Sequence, residues 1–458
     1  MNDSRLPKPY PWVKLETVQG GMKFPGWIRS VAFACPVVCL MVSCETTDPT
    51  DWRNPQPSPF AKASIGELRA LAEKDDYFAM THLGWRYDTG TGVELNPAEA
   101  AGWYRLAADH GKHSMAQNNL GCLYRDGRGV AQDYKMAAEL FRLAANQGNL
   151  HAKNNLAWLY ERGYGVPVDY REAFKLYSQA AADVPDFQTG KTSPGDATAQ
   201  NNLGCLYRDG KGTAADPFTA IKWFRRSALA GNHHAYHNLG IMFERGLGVE
   251  QDIRMALQHY DKAIQAGNIY SMNAVAWIFD NGAGVPKNPK FAREFYYKAA
   301  QQGYSMAMYN LACMIRDGRG DKPDPITASE WMLKAAERGN AYAQAAYGSM
   351  HEHGHGVKQD YAQAAKWYRK AANQGLSVAQ IHLALILASG VAETDPNRVE
   401  AYMWMALAAG NGNKGATEFL ETIREKMSPQ EINSAQALVV QFVAQPIIED
   451  LAPEGPQG

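Results

Sequence analysis

The chain has 458 residues, more than one ordinary hydrophobic core organises, so we expect several domains or an elongated array of repeats. Lys and Arg number 46 against 47 Asp and Glu, and no cluster of basic residues appears, which argues against nucleic acid as a partner. The six cysteines show no spacing typical of a zinc site, and we predict no metal and no cofactor.

Residues 1–44 are predicted to form a targeting segment. Its apolar run, Val31 to Ser43, is too short to cross a bilayer of about 30 Å as a helix, but it suits the hydrophobic region of a signal peptide. Met22 begins a more typical signal sequence than Met1 does, and it is an alternative start. The run ends in Leu-Met-Val-Ser-Cys, which resembles a bacterial lipobox although Met41 departs from its usual residues. We therefore predict lipidation at Cys44, with a simply cleaved signal or an unprocessed apolar stretch as alternatives.

Residues 45–63 are polar and rich in proline, as expected of a tether between an anchor and a folded domain. A leading helix is predicted over residues 64–75, where Ser64 and Glu67 have the spacing of a capping box.

A period of 36 residues then dominates the sequence. GCLYRDGRG at 121–129 returns as GCLYRDGKG at 204–212. The small residue of this motif recurs at Gly84, Gly121, Ala157, Gly204, Gly240, Ala276, Ala312, Gly348 and Ala384. Only one step, from Ala157 to Gly204, is much longer, at 47 residues.

Each repeat is predicted to contain two helices. In the first helix, Gly121 allows close approach of another helix, and a glycine pair such as Gly127 and Gly129 ends it. The second helix carries a pattern of small and aromatic residues, as in Ala220, Phe224 and Ala228, and opens at an N-cap residue. The predicted N-caps are Asn96, Asp133, Asp169, Asp216, Asp252, Asn288, Asp324, Asp360 and Asp395.

These motifs resemble the SEL-one-like repeat (SLR) family, a relative of the tetratricopeptide repeats, over residues 76–411. The resemblance implies an all-α fold: a right-handed α-solenoid of about nine helix-turn-helix repeats. We predict C-terminal cap helices over residues 412–445 and a disordered tail over 446–458. Members of this family act as adaptors, so the resemblance implies protein partners.

The extra residues of the long step fall within 183–196, which we predict to be a solvated loop. Gly190-Lys191-Thr192 is similar to the end of a P-loop, but no strand precedes it, which argues against nucleotide binding. The alternative function of this insertion is a partner contact through Phe187.

Two columns of the repeat are candidates for function. The residue after the small residue is Trp85, Trp158 or Trp277 in three repeats, and tryptophan is a favoured binding anchor on the expected concave side; packing between repeats is the alternative. The other column alternates in charge in most steps, which predicts opposite charges facing each other in stacked repeats, with a partner-binding stripe as the alternative. It comprises Arg125, Glu161, Arg208, Glu244, Asp280, Arg316 and Glu352.

An enzymatic role is the less favoured interpretation. Neither S-x-x-K nor K-T-G occurs, as a β-lactamase-type nucleophile would need, and carboxylates fall in repeating columns. We predict a non-enzymatic protein-interaction scaffold of the bacterial cell envelope, an outer-membrane or periplasmic lipoprotein. A cytoplasmic adaptor of the same fold and a cell-wall or β-lactam hydrolase are the alternatives.

Overall fold

The computed structural model describes residues 60, 62–110, 112–185, 192–391, 397–442 and 444. The predicted targeting segment with Cys44, most of the tether, Phe187 and the predicted tail lie outside these residues. The described chain forms two compact units that divide between Ser271 and Met272. We call them the N-terminal unit (up to Ser271) and the C-terminal unit (from Met272).

The N-terminal unit is built from helices joined by short loops. They are α1 (Ile65–Ala72), α2 (Tyr77–Thr89), α3 (Pro97–Asp109), α4 (Ser114–Asp126), α5 (Tyr134–Asn146), α6 (Leu150–Arg162), α7 (Tyr170–Ala181), α8 (Ala197–Asp209), α9 (Pro217–Leu229), α10 (His233–Arg245) and α11 (Ile253–Gln265), and α12 (Ile269–Asn281) spans the division.

The C-terminal unit continues the same alternation of first and second helices. It contains α13 (Pro289–Gln301), α14 (Ser305–Asp317), α15 (Pro325–Glu337), α16 (Ala341–His353), α17 (Tyr361–Asn373), α18 (Ser377–Ser389), α19 (Arg398–Gly410), α20 (Lys414–Arg424) and α21 (Pro429–Gln441). The last two pack on α19, where terminal cap helices are predicted. Among the described residues, no helix is both long and apolar enough to cross a membrane.

Within each unit, first helices pack on their own second helix and on the second helix before them, for example α4 on α5 and on α3. This all-α stacking confirms the predicted α-solenoid. Most second helices bury an aromatic residue between small residues: Ala220, Phe224 and Ala228 are almost wholly buried. One helix pair cannot cover such a face alone, so adjacent repeats bury it together.

The helix ends follow from local chemistry. The predicted N-caps from Asn96 to Asp360 are confirmed, and each side chain accepts a backbone N–H in the first turn. The ninth repeat differs: α19 is capped by Asn397, whose side chain accepts from Glu400, and not by Asp395, which lies outside the described residues. The capping box of α1 is present, with Ser64 accepting from the Glu67 backbone.

Gly121 and the glycine pair at the end of α4 have different structural roles. A Cβ on Gly121 would lie 2.7 Å from the Phe141 ring, so an alanine here would require the ring or the helices to shift. Gly127 and Gly129 both adopt a left-handed φ, +68° and +67°.

The insertion contains no further helix among its described residues. Two short strands, β1 (Val184–Pro185) and β2 (Thr192–Ser193), pair antiparallel, with Val184 opposite Ser193. Asp196 ends the insertion as the N-cap of α8 and accepts from Ala199 at 2.6 Å.

Candidate partner-binding surface

The tryptophan column of the first helices is not uniform in burial. Trp158 is only 4% exposed and packs against the Tyr164 ring (centroids 5.3 Å apart) and under the Arg125 guanidinium. Its indole N–H finds no hydrogen-bond partner among the described residues. Because a side chain this deeply buried offers a partner almost no surface, we assign Trp158 to packing between repeats, which is the alternative given in the sequence analysis.

Trp85 and Trp277, in contrast, are half-buried, and each leaves part of its ring accessible. Trp85 lies at the last turns of α2, 5.3 Å from the His82 ring and 5.8 Å from the Arg86 guanidinium. Trp277 lies on α12, where its carbonyl accepts from the Asn281 side chain at 2.9 Å. The same column is buried in five repeats, at Cys122, Trp158, Cys205, Ile241 and Cys313, and half-buried at the smaller side chains Ser349 and Leu385.

The alternating charge column is largely buried, and its sign is matched by the second helix of the same repeat. Where the column carries an acid, the second helix carries a buried tyrosine; the pairs are Asp88 with Tyr104, Glu161 with Tyr177, Glu244 with Tyr260, Asp280 with Tyr296 and Glu352 with Tyr368. Where the column carries an arginine, the second helix carries an apolar residue; the pairs are Arg125 with Phe141, Arg208 with Phe224 and Arg316 with Met332. A buried carboxylate needs a donor, and a tyrosine hydroxyl supplies one. An arginine side chain carries its own donors and needs no hydroxyl donor, and the face of an aromatic ring attracts its positive charge.

Three of these tyrosines donate directly to their acid. The Tyr177 hydroxyl lies 3.2 Å from Glu161, and the Tyr368 hydroxyl lies 2.6 Å from Glu352. In the third pair, burial raises the pKa of Glu244, although its hydrogen bond from Tyr260 opposes the rise. The matching of acid with tyrosine was not predicted, but both columns are visible in the sequence.

That neighbouring charges in this column face each other stays a prediction, because the ion pairs found join the column to residues outside it. Arg125 pairs at 2.6 Å with Asp126 of its own repeat. Three of the acids pair diagonally with the basic residue that lies between the two glycines of the next repeat, because that loop reaches back over the preceding helix pair. The diagonal pairs are Asp88 with Arg128 at 2.6 Å, Glu161 with Lys211 at 3.8 Å, and Asp280 with Arg319.

A ladder of buried asparagines also joins successive first helices. The acceptor is the side-chain amide three residues before the small residue of one repeat. The donor is the side-chain amide two residues before the small residue of the next repeat. The pairs are Asn118 with Asn155 at 3.0 Å, Asn154 with Asn202 at 3.1 Å and Asn201 with Asn238 at 2.8 Å in the N-terminal unit, and Asn273 with Asn310 at 3.0 Å in the C-terminal unit. Paired amides of this kind fix which residues of neighbouring repeats meet. The recurring Asn-Asn before the small residue was the signal for it.

One group in the C-terminal unit resembles an acid–base pair. His382 lies 3.1 Å from Glu352, which also accepts from Tyr368. Burial would raise the pKa of Glu352, but the interaction with His382 and the hydrogen bond from Tyr368 lower it overall. The Ser349 hydroxyl contacts His353 of its own helix, so this contact of the serine does not join it to the His382–Glu352 pair as a relay. The same Glu–Tyr pairing recurs in other repeats, so the group belongs to the buried columns.

His237 occupies an asparagine position of the ladder on α10. Its Nδ1 lies 2.9 Å from the Ser271 hydroxyl. Burial, with the nearby charges of Arg208 and Arg245, lowers the pKa of His237 to about 3, so this ring is neutral at physiological pH.

These features define the class of the protein as a helical repeat protein, in which stacked helix pairs share buried polar and aromatic columns. The Sel1 repeat model matches nine segments, at 78–112, 114–149, 150–183, 197–232, 233–268, 269–304, 305–340, 341–376 and 377–413. The chain therefore belongs to the Sel1 repeat family, which confirms the predicted resemblance.

Among solved structures, the chain is similar to a protective antigen present in uropathogenic Escherichia coli strains that displays an SLR fold. The two are 34% identical with a TM-score of 0.50, over 85% of this chain and 80% of that one. A Sel1 repeat protein from Oxalobacter formigenes is 26% identical with a TM-score of 0.49, over 79% of this chain and 92% of that one. None of the curated proteins matches this chain. Folds of this type are generally protein-interaction scaffolds, and no enzyme family is indicated.

Proposed function

We propose that this protein is a non-enzymatic scaffold that binds protein partners through the surface of its first helices, with Trp85 and Trp277 as anchors. The observation that carries the proposal is the contrast within one column. Most repeats bury this position, whereas α2 and α12 leave a large aromatic side chain half-exposed. Partly exposed tryptophans are enriched among residues that dominate binding energy.

We further propose that the scaffold works in the bacterial cell envelope, held by a lipid on Cys44. The support is the sequence alone: a short apolar run, the lipobox-like ending and the polar tether. Metabolic labelling with a fatty acid tests this proposal. The wild type should take up label and Cys44→Ala should not; equal labelling, or none, overturns it and favours the cytoplasmic adaptor.

Cross-linking in cells, followed by identification of the captured proteins, tests the binding surface. Trp85→Ala combined with Trp277→Ala should remove partners that the wild type captures. The matched control is Trp223→Ala, because Trp223 is also half-buried but lies on a second helix beneath Arg226. If the double variant folds and keeps every partner, the proposed surface is wrong. Turnover of peptidoglycan or a β-lactam by the purified protein would contradict the non-enzymatic role.

A further inference from the structure

The C-terminal unit contains a cleft of about 400 Å³ between the second helices α13 and α15. Leu311 and Ile315 of α14 form its floor, and Tyr297 and Trp331 form its walls. Tyr297 is 43% exposed, and the centroids of the two rings lie 5.8 Å apart, edge to face. The cleft is therefore an open apolar slot with aromatic sides.

The slot lies in a repeat whose first helix lacks an aromatic ring, as the first helix α18, with Leu387, also does. Three residues after the small residue, the first helices from α2 to α12 carry a tyrosine or phenylalanine, whereas α14 carries Ile315. The aromatic residues are Tyr87, Tyr124, Tyr160, Tyr207, Phe243 and Phe279.

Two other repeats show where such a ring goes. The Tyr124 hydroxyl accepts from Arg105 at 2.7 Å, and the Tyr160 hydroxyl accepts from Arg142 at 3.3 Å. Arg105 and Arg142 hold the position on the preceding second helix that Tyr297 holds on α13. The ring in those repeats thus fills the space that stays open beside Tyr297.

The edge of the slot is rich in positive charge. Lys290 and Arg293 border it on α13, and Lys334 lies 4.5 Å from the centroid of the Trp331 ring. Arg293 is paired with the exposed Asp321 at 2.8 Å. Glu294, the acid lining the slot, is paired with Lys298, and no ion pair of Lys290 is found among the described residues. Lys290 also interacts electrostatically with the Asp321 carboxylate. The slot therefore combines a ring-sized apolar space with a cluster of mainly positive charges at its edge.

We propose that this slot binds a short acidic peptide segment of a partner protein, with one aromatic side chain in the space that Ile315 leaves open. Carboxylates beside that aromatic residue meet Lys290 and the neighbouring cations. In an apolar pocket, a small number of polar groups fixes the orientation of the ligand, and charge complementarity selects the partner. This proposal rests on the proposed role in binding proteins, but it uses a surface distinct from Trp85 and Trp277.

Fluorescence anisotropy of a fluorescein-labelled peptide with the sequence Gly-Glu-Asp-Phe-Asp-Glu-Gly, added to the full chain, tests the proposal. The wild type should bind it, and binding should weaken about tenfold or more when Phe is replaced by Ala or when Lys replaces the acidic residues. Ile315→Tyr should block the slot with the residue that other repeats carry, and Lys290→Glu should weaken binding similarly. The matched control is Lys135→Glu, because Lys135 is the equally exposed second residue of α5 and should leave affinity unchanged.

The proposal is overturned if the wild type does not bind the peptide, or if Lys290→Glu binds as well as Lys135→Glu. Equal binding of the Phe-to-Ala peptide overturns it too, because charge alone then explains binding. Anionic lipid vesicles that displace the peptide at equal or lower concentration would indicate a membrane-binding surface instead. If peptide binding is absent while cross-links that depend on Trp85 and Trp277 persist, only the slot is refuted and the scaffold function stands.

Discussion

The second glycine of most loops is where successive repeats meet, and Gly129→Ala is expected to loosen that contact. A Cβ on Gly129 would overlap the backbone of Pro97 and Ala98 at the start of α3, in the preceding repeat. A backbone overlap cannot be relieved by rotating a side chain, so the loop or α3 must move. The contact recurs at Gly165 on Tyr134.

Two costs add in this variant. A Cβ at a left-handed φ costs about 1–2 kcal/mol, and forcing extra volume into a packed site costs about 1–3 kcal/mol more. The control is Gly231→Ala, because Gly231 has a φ of +90° but nothing within 4 Å of its added Cβ. Gly231→Ala should therefore show the backbone cost alone.

Urea unfolding of both variants, followed by far-UV circular dichroism, measures the two free energies. Hydrogen exchange shows which helices are destabilised, because unfolding of a repeat array need not be a single transition. We expect Gly129→Ala to be less stable than Gly231→Ala by about 1–3 kcal/mol, with faster exchange in α3 and α4. Equal loss in both variants would refute the assignment of Gly129 to the contact between repeats.

Three further predictions concern buried side chains. Tyr177→Phe should cost about 1–3 kcal/mol of unfolding free energy in urea titration, because Glu161 loses its donor; adding Glu161→Gln should recover part of it, and no recovery would contradict the pairing. Trp158→Ala should cost about 3–5 kcal/mol yet leave cross-linked partners unchanged, and their loss would restore Trp158 as a contact residue. The depressed pKa of His237, about 3, means that the unfolded chain takes up a proton first as pH falls from 6.5, so stability is lost between pH 6.5 and 3. At pH 5 this amounts to about 2 kcal/mol; His237→Asn should reduce the loss in thermal unfolding, and an unchanged pH profile would contradict it.

Most of the fold could be predicted because its signals are local. An N-cap such as Asp133 depends only on the few residues that follow it, and the glycine pair depends on the φ that its own backbone adopts. Asp395 failed as a cap because α19 begins two residues later than predicted, after the N-cap Asn397.

The candidate surface was harder to predict because burial depends on neighbouring repeats. Trp85 and Trp158 occupy the same column, yet only Trp158 is covered, by Arg125 of the preceding repeat and by Tyr164. The charge column was recognised, but sequence spacing did not reveal that three of its acids pair diagonally, as Asp88 does with Arg128. That pairing depends on how far the loop reaches across the stack.

Photo-cross-linking in cells from single positions tests the central claim most directly. A benzophenone amino acid would replace Trp85 or Trp277, with Leu229 of α9, 87% exposed on a second helix, as the control position. The proposed surface predicts that partner proteins are captured from position 85 and from position 277, and not from 229. Capture from 229 alone, or equal capture from all three positions, would contradict it.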